Sequence, residues 1–539
     1  MGNWFKSGAP WIWMTAGAVS LSLAAVLGLL LLIGWKGLSY FWPAPVYQFE
    51  LDISGNKQTV IGELYEKKSI SVKQLAEAGV DVSQIDGDRV ERYLIKTGNR
   101  ERVELDFITV LETQVESRTL ADGIAVIDRV KNGKFYGYPI SFIDDGVSKS
   151  MTDLPDGLSA ADKVRDEIRL LQQTDIAEIN RQLELLRLEE RKQGQQQQLG
   201  LELRREKLEQ DYSALEQRLF ALRQKLEQDA VLVRDMAGVM VRLPLGQVLD
   251  LWYPNNLSFI EKLAHWGHQV GKFVSEDPRE ANTEGGVFPA IFGTVFMVLL
   301  MSVVVTPLGV MAAVYLHEYA GKNRFTNLIR VAVINLAGVP SIVYGVFGLG
   351  FFVYMVGGSV DEIFFADQLP APTFGTPGIL WSALTLAILT LPVVIVSTEE
   401  GLARIPNSVR HGSLALGATQ AETLWRIVLP MASPAIMTGL ILAVARAAGE
   451  VAPLMLVGVV KMAPTLPVDG QFPYLHLDRK FMHLGYHIYD VGFQSPNVEA
   501  ARPLVYATSF LLVTVIVGLN LTAIGIRNHL REKYRSLEY

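Results

Sequence analysis

The sequence predicts a mainly α-helical, polytopic membrane protein with six transmembrane helices, and a β-rich domain outside the membrane that carries a coiled-coil hairpin. Three observations predict this fold class. Half of the 539 residues are hydrophobic and many gather in six long runs, residues 48–150 contain short alternating runs, and residues 158–236 are rich in Leu, Glu, Gln, Arg and Lys. The net charge of -7 comes without a basic block, which argues against nucleic-acid binding, and the lack of cysteine excludes disulfides and thiol chemistry.

The six apolar runs are long enough, or nearly so, to cross a hydrocarbon core of about 30 Å as helices that rise 1.5 Å per residue. Lipid offers backbone groups no hydrogen-bond partner, which favours helices. The first run follows Lys6, as in a signal peptide, but it is longer than a signal-peptide core and no A-x-A-like cleavage site follows it. We therefore expect it to be retained as an anchor. The runs cover residues 11–35, 288–316, 331–356, 379–397, 435–460 and 503–526.

Basic residues in short loops predict the orientation of these runs. Between the last two runs the loop holds Lys461, Arg479, Lys480 and Arg502, and residues 357–378 hold no basic residue. The other side holds more, so the sequence predicts cytoplasmic termini and places residues from about 36 to 287 in the periplasm. The residues assigned to the cytoplasm are Lys6, Lys322, Arg324, Arg330, Arg404, Arg410, Arg426, Arg527, Arg531, Lys533 and Arg535.

The large segment outside the membrane begins with β-like runs such as YQFELDI, RVELDFITVL and GKFYGYPISFI, which predict a small barrel or sandwich. A strand pattern returns in GVMVRLPLGQVLDLWYP, so the helical part between them is a candidate insertion into the β-rich domain.

That helical part shows leucine spacings of four and three, the seam of a coiled coil. Gly194 and Gly200 bracket a glutamine run and can break a helix. Two helices that fold back as an antiparallel hairpin are expected, and one long helix that dimerises is the alternative. The seam residues are Ile176, Ile179, Leu183 and Leu186, then Leu208, Tyr212, Leu215, Leu219, Leu222 and Leu226.

These patterns divide the chain into six parts. They are an N-terminal stub with the first membrane helix (1–40), a β-rich domain (41–157), a coiled-coil hairpin (158–236), the return of the β-rich domain with a linker (237–283), a five-helix core (284–526) with a cytoplasmic loop at 398–434, and a cytoplasmic tail (527–539).

A polar segment, SLALGATQAETLWRIVLP at residues 413–430, stands between two apolar runs. Pro406 can start a short helix that ends at Gly417, a residue suited to a C-terminal cap. Thr419 and Glu422 then form a capping box for a second helix. The pattern predicts a helix-turn-helix elbow on the cytoplasmic membrane surface, with Leu424, Ile427 and Val428 on its apolar face and with Pro430 and Pro434 at its exit.

The spacing G-x9-I-x-L-P, met by Gly417, Ile427, Leu429 and Pro430, resembles the cytoplasmic coupling motif of ABC importer permeases. In that family the elbow docks into a groove of a separate ATPase subunit, so the resemblance implies that ATP and Mg are bound by a partner chain and that this chain holds no cofactor. The E-A-A that usually opens the motif is replaced here by His411, Gly412 and Ser413. The residues assigned to ATPase coupling are Gly417, Thr419, Glu422, Ile427, Leu429 and Pro430.

Five further stretches, at 284–294, 307–320, 335–350, 391–406 and 445–458, narrow the family. They resemble the A-type permease of the phosphate-specific ABC importer, in its long form with an insertion after the first helix. The resemblance covers 284–526 and implies a type I importer permease fold in the bacterial inner membrane. It also implies a C-type permease, an ATPase dimer and a periplasmic phosphate-binding protein as partners. Val396 stands where the family commonly has Arg.

Two charges fall inside the fifth apolar run. Arg446 lies near its middle, and Glu450 follows at i+4 on the same face. A charge at mid-bilayer costs on the order of 2.5 to 3.5 kcal/mol, so both need partners. Either Arg446 binds the transported anion with Glu450 poising it, or the pair neutralises itself and locks helices together. Pro340 and Ser341 are added to the candidate pathway because they can expose backbone groups to phosphate, and a simple helix kink is the alternative.

No catalytic signature is present, so we expect a transporter subunit and no enzyme. GHQVGKF, at 267–273, has the wrong spacing for a phosphate-binding loop. The three histidines His476, His483 and His487 are interpreted as surface residues and not as a zinc site. Two alternatives are left open. An importer permease for another oxyanion would be distinguished by which anion stimulates ATPase activity of the reconstituted complex. A phosphate-sensing envelope scaffold would be distinguished by deleting about 158–236, since intact uptake with altered signalling would favour the scaffold.

Overall fold

The computed structural model describes residues 8–53, 56–77, 87–100, 106–192, 198–321, 323–495 and 498–534. It divides into two compact units. The bundle unit consists of Met1–Tyr40, Val274–Asn282 and Gly286–Tyr539, and the β unit of Phe41–Phe273 and Thr283–Gly285. Four residues used in the sequence predictions, Lys6, Gly194, Lys322 and Arg535, lie outside the described residues.

The described residues of the bundle unit contain six helices that are long and apolar enough to cross a membrane, which confirms the predicted fold class. Span 4 is the most buried of the described spans, and it packs against spans 2 and 5. Met297, Met301, Leu386 and Ala443 are fully buried at this junction. The six are span 1 (Pro10–Ser39), span 2 (Phe288–Tyr319), span 3 (Ser341–Phe364), span 4 (Ile379–Ala403), span 5 (Gln420–Gly449) and span 6 (Ala501–Lys533).

Two of the predicted runs are interrupted in the structure. The predicted run 331–356 is broken: the helix Arg324–Leu336 ends before Pro340, and span 3 starts at Ser341. The predicted run 435–460 is helical only to Gly449, after which the chain extends and forms the short helix Leu454–Val457. Proline removes a backbone donor and disfavours helix in the residue before it, and both Pro340 and Pro453 stand at these breaks.

The β unit contains two antiparallel sheets. The first has the strand order β4-β3-β2-β1-β5 and the second β10-β9-β7-β6-β11, with β8 paired to β7. The strands are β1 (Val46–Ile53), β2 (Asn56–Ser71), β3 (Arg89–Lys96), β4 (Phe107–Leu111), β5 (Val115–Leu120), β6 (Ala125–Arg129), β7 (Phe135–Asp144), β8 (Val147–Lys149), β9 (Ala230–Arg234), β10 (Met240–Pro244) and β11 (Val248–Trp252).

A helical hairpin lies between β8 and β9, so the second sheet is built from strands on both sides of it. One arm is Leu154–Lys192, α-helical except for a π-helical stretch at Leu171–Ile176, and the other is Gln198–Gln228. The arms run antiparallel, since Glu167 pairs with Arg218 at 2.6 Å while Glu189 lies 3.8 Å from Arg204. The seam residues are the less exposed ones along both arms, and Gly200 is helical.

Candidate functional site: the elbow and the broken helices

The elbow begins with the helix Asn407–Ala415, and two carbonyl oxygens of its last turn accept hydrogen bonds from the residues that follow the helix. The backbone N–H of Gly417 donates to Leu414 O at 3.0 Å and that of Ala418 donates to Ser413 O at 3.3 Å. This pattern is a Schellman cap, and it requires the left-handed backbone that Gly417 adopts at φ 91°. The predicted C-terminal cap thus forms at the predicted glycine.

The capping box of the second elbow helix also forms as the sequence indicates. Thr419 N donates to Glu422 Oε2 at 3.0 Å, and Glu422 N donates to Thr419 Oγ1 at 3.2 Å. The helix does not end at Pro430, however. It continues through a π-helical turn at Leu424–Val428 into Leu429–Gly449, so the elbow and span 5 form one continuous helix. Pro430 lies directly after this π-helical turn, inside the continuous helix.

The elbow has a packed side and an open side. Leu424 and Val428 pack with Leu402 and Ile405 at the end of span 4, whereas Ile427, Leu429 and Pro430 are half-buried. On the open side, Leu416 is 91% exposed and Trp425 is 74% exposed. Large apolar side chains with that exposure, beside the rigid turn at Gly417, form a surface suited to a protein partner.

An ion pair ties the elbow to span 2. Arg410 Nη2 lies 3.0 Å from Glu318 Oε1, and the two side chains are only 14% and 18% exposed. The same guanidinium donates to Leu402 O at 2.8 Å and to Ile405 O at 3.0 Å. Arg410 therefore joins the first elbow helix to the ends of spans 2 and 4, a role that sequence analysis did not assign.

A second arginine makes a similar connection from the helix Arg324–Leu336. Arg330 Nη2 donates to Leu316 O at 2.7 Å, and its Nε lies 3.5 Å from Glu399 Oε1. Spans 2 and 4 are thus bridged at the elbow end by two separate basic residues.

Arg446 and Glu450 lie deep along the bundle. A Cβ on Gly439 would lie 2.8 Å from Ser397 Cβ, which sets the antiparallel register of spans 5 and 4. Arg446 follows Gly439 by seven residues along span 5. Thr390 precedes Ser397 by seven residues along span 4 and lies beside the midpoint of Ile379–Ala403. Arg446 is therefore level with the middle of span 4.

The helix of span 5 ends almost at once after Arg446, which corrects the expectation that both charges lie within a continuous helix. Glu450 is its C-cap residue with extended backbone (φ -79°, ψ 134°), and its Oε1 is 3.6 Å from Arg446 Nε. The side chains are 32% and 21% exposed, so the pair is open to one side.

Pro340 and Ser341 stand at the start of span 3. Pro340 is its N-cap and is exposed, and the Tyr344 hydroxyl one turn later donates to Leu336 O at 2.7 Å across the break. Gly348 lies against Thr385, near the start of span 4. Ser341 precedes Gly348 by seven residues, which places it about 10 Å along the helix axis from Gly348, at 1.5 Å per residue. The start of span 3 and the end of span 5 therefore lie at similar depth.

The structure corrects the interpretation of His483 and His487 as surface residues. They are 1% and 2% exposed, and burial lowers the pKa of each to about 4, so both are neutral at pH 7. Nearby, Asp490 accepts from Lys461 at 3.2 Å and from Asn282 at 3.1 Å. Burial here comes from loop packing that no local sequence pattern reveals.

Among the described residues, the acidic group that could approach a metal ion is Asp144, Asp145 and Asp229, whose oxygens lie within 4.8 Å of one another. Asp144 already pairs with Lys149, and Asp229 accepts the N–H of Asp145. Partly exposed carboxylates that are satisfied in this way are common without a metal.

Comparison with known proteins decides the family. Residues 305–536 match the model of the binding-protein-dependent transport system inner membrane component. The phosphate transport system permease protein PstA 1 of Mycobacterium tuberculosis H37Rv is 32% identical over 290 residues, which cover 54% of this chain and 83% of that protein. PstA of Haemophilus influenzae is 34% identical over 44% of this chain and 75% of its own length. The probable ABC transporter permease YqgI of Bacillus subtilis is 30% identical over 47% and 81%.

The chain belongs to this family of ABC transporter permeases. The resemblance predicted from the sequence is confirmed, and the permease is a multi-pass inner-membrane protein and a transport subunit, not a catalyst in itself. The family match begins inside span 2 and includes the elbow and both broken helices, whereas the β unit lies outside it.

For this permease we expect Arg410→Gln or Glu318→Gln to destabilise the bundle by about 3 kcal/mol, since each leaves a largely buried charge without its partner. The thermal midpoint of the purified transporter measures the loss. The double variant should recover part of it, because no unpaired charge remains. Arg426→Gln, on the exposed face of the elbow, is the matched control and should change little; an equal loss there would contradict the assignment.

Proposed function

We propose that this chain is the transmembrane permease subunit of an ATP-driven importer of inorganic phosphate, with both termini in the cytoplasm and residues from about 36 to 287 in the periplasm. It pairs with a C-type permease, an ATPase dimer that binds ATP and Mg, and a periplasmic phosphate-binding protein. The names of the relatives support phosphate as the substrate.

The observation that carries the proposal is the mid-depth site. Arg446 lies level with the middle of span 4, at the end of a helix that stops inside the bundle, and span 3 starts at a similar depth. Interrupted helices at the midplane are how transporters present polar groups to a substrate. A helix N-terminus such as that at Ser341 favours an anion, and Arg carries a permanent charge with planar donors that suit phosphate.

Glu450 adds selectivity to this arrangement. A carboxylate repels an anion, but it can accept a hydrogen bond from a hydroxyl that the anion carries, which offsets part of that repulsion. Hydrogen phosphate carries a hydroxyl that can donate to Glu450 while its other oxygens accept from Arg446. Sulfate at neutral pH has no such hydroxyl.

Coupling follows from the elbow. The exposed Leu416 and Trp425 dock on the ATPase, and the turn at Gly417 fixes the angle between the two elbow helices. Because the second elbow helix is continuous with span 5, a displacement of the docked elbow is carried along the helix that bears Arg446. ATP binding closes the ATPase and opens the pathway outward, and hydrolysis resets it.

The test is ATPase activity of the reconstituted four-component transporter with its binding protein. Phosphate is expected to stimulate hydrolysis, and sulfate and molybdate are not. Stimulation by another oxyanion in place of phosphate would move the chain to a different substrate, and no stimulation by any anion would favour a scaffold.

A further inference from the structure

The β unit ends in an amphipathic helix, Phe259–Ser275, whose polar face is fixed to its own sheet. Lys272 Nζ lies 3.0 Å from Asp250 Oδ2 in β11, and the ring of His265 lies 4.7 Å from that of Trp252. These contacts set which way the helix faces.

The opposite face is apolar and open. Phe259 is 71% exposed, Ile260 77% and Leu263 49%. Leu263 follows Phe259 at i+4 and Ile260 at i+3, so it neighbours both on the helix surface. Trp42 extends the patch, with its ring 5.9 Å from that of Phe259. A contiguous patch of four large apolar side chains indicates a binding surface, unlike isolated exposed apolar residues.

The position of Trp42 in the chain links this patch to the membrane. Span 1 ends at Ser39, and three residues can extend at most about 10 Å, so Trp42 lies within that distance of the end of a membrane-crossing helix. Tryptophan is enriched at this boundary, where its ring is apolar and its N–H is polar. The patch therefore includes a residue that follows the last residue of a membrane-crossing helix by only three positions.

We infer that the face formed by Trp42, Phe259, Ile260 and Leu263, the lipid-facing patch, inserts into the membrane surface on the side of the β unit. The helix lies in the plane of the interface with its apolar side chains at the boundary between headgroups and acyl chains, as amphipathic interfacial helices do. The β unit is thereby held against the bilayer by its own contact, in addition to the covalent links to the spans. The inference rests on membership of the membrane family and not on the transported anion.

The chain has no cysteine, so single-cysteine spin labelling is direct. Ile260→Cys, Leu263→Cys and the control His268→Cys, whose side chain is 60% exposed on the polar side of the same helix, would be labelled in the assembled transporter. The transporter is reconstituted in liposomes of phosphatidylethanolamine and phosphatidylglycerol. Accessibility is measured to oxygen, which concentrates in lipid, and to a water-soluble nickel chelate.

The expected result is a several-fold higher ratio of oxygen to nickel accessibility at positions 260 and 263 than at position 268. Equal nickel accessibility at all three positions would overturn the inference, since the patch would then lie in water. Immobilised labels at 260 and 263 that neither reagent reaches would also overturn it, because a protein partner would then cover the patch. Phosphate-stimulated ATPase activity in the same liposomes shows separately whether the proposed function holds.

Discussion

Replacing Gly417 by tryptophan is expected to abolish phosphate uptake while the subunit still inserts in the membrane. At φ 91° any L-residue is strained, by roughly 1 to 2 kcal/mol from the backbone alone. No other group lies within 4 Å of a Cβ built there, so the expected loss comes from the distorted turn and from the altered surface of the elbow. Uptake of labelled phosphate and immunodetection in membranes measure the two effects.

Smaller changes at the elbow separate the two causes. Gly417→Ala adds the strain with almost no bulk and is expected to reduce uptake partially, and Gly417→Asn should be milder because Asn tolerates the left-handed region. Gly412→Ala is the matched control: it lies in the preceding helix with open space around it, where alanine is favoured over glycine by up to about 1 kcal/mol. Normal uptake by Gly417→Trp would show that the elbow is not the coupling element.

Arg446→Gln is expected to lose phosphate uptake, with ATPase activity no longer stimulated by the loaded binding protein. The guanidinium is the positive group level with the middle of span 4, and glutamine keeps hydrogen bonding but no charge. Arg446→Lys retains the charge and loses the planar set of donors, so an intermediate uptake is expected. Initial uptake rates at several phosphate concentrations are the measurement.

The double variant Arg446→Gln with Glu450→Gln decides between a pathway and a structural pair. If the two charges only neutralise each other, removing both restores a balanced interior, and uptake recovers toward normal. If Arg446 contacts the anion, the double variant stays inactive because nothing replaces its charge. Recovery of uptake in the double variant is thus the result that contradicts the pathway assignment.

The elbow was predictable because its determinants are local. A capping box needs only Thr419 and Glu422 three residues apart, and a Schellman cap needs only a glycine such as Gly417 at the right place. The membrane spans were predictable as well, because a helix that crosses a bilayer needs a long, predominantly apolar run that a sequence shows directly. The residues of the elbow already indicated its shape. The resemblance to the coupling motif of ABC importer permeases added only the expectation of an ATPase partner.

Other features depend on contacts between distant parts of the chain. Hydropathy averages over a window, so the breaks at Pro340 and after Gly449 were hidden inside runs that stay apolar on both sides. The pairing of Arg410 with Glu318 joins residues that are far apart in sequence. His483 and His487 were misjudged because their burial is caused by packing of the loop and not by their neighbours' pattern.

The strands were visible as short alternating runs, but their pairing was not. β1 pairs with both β2 and β5, and β9 pairs with β7 across the entire hairpin. Register of this kind is fixed by side-chain packing between strands, which a single sequence does not display.

The hairpin begins and ends in one place: Leu154 and Leu226 share a buried cluster with Phe142 and Val231 of the second sheet. Because its two arms leave and return there side by side, the same number of turns can be added to or removed from each without altering the strands. Each heptad changes the reach by about 10 Å. The length of the hairpin can thus vary while the sheet from which it extends and the helices of the bundle stay the same.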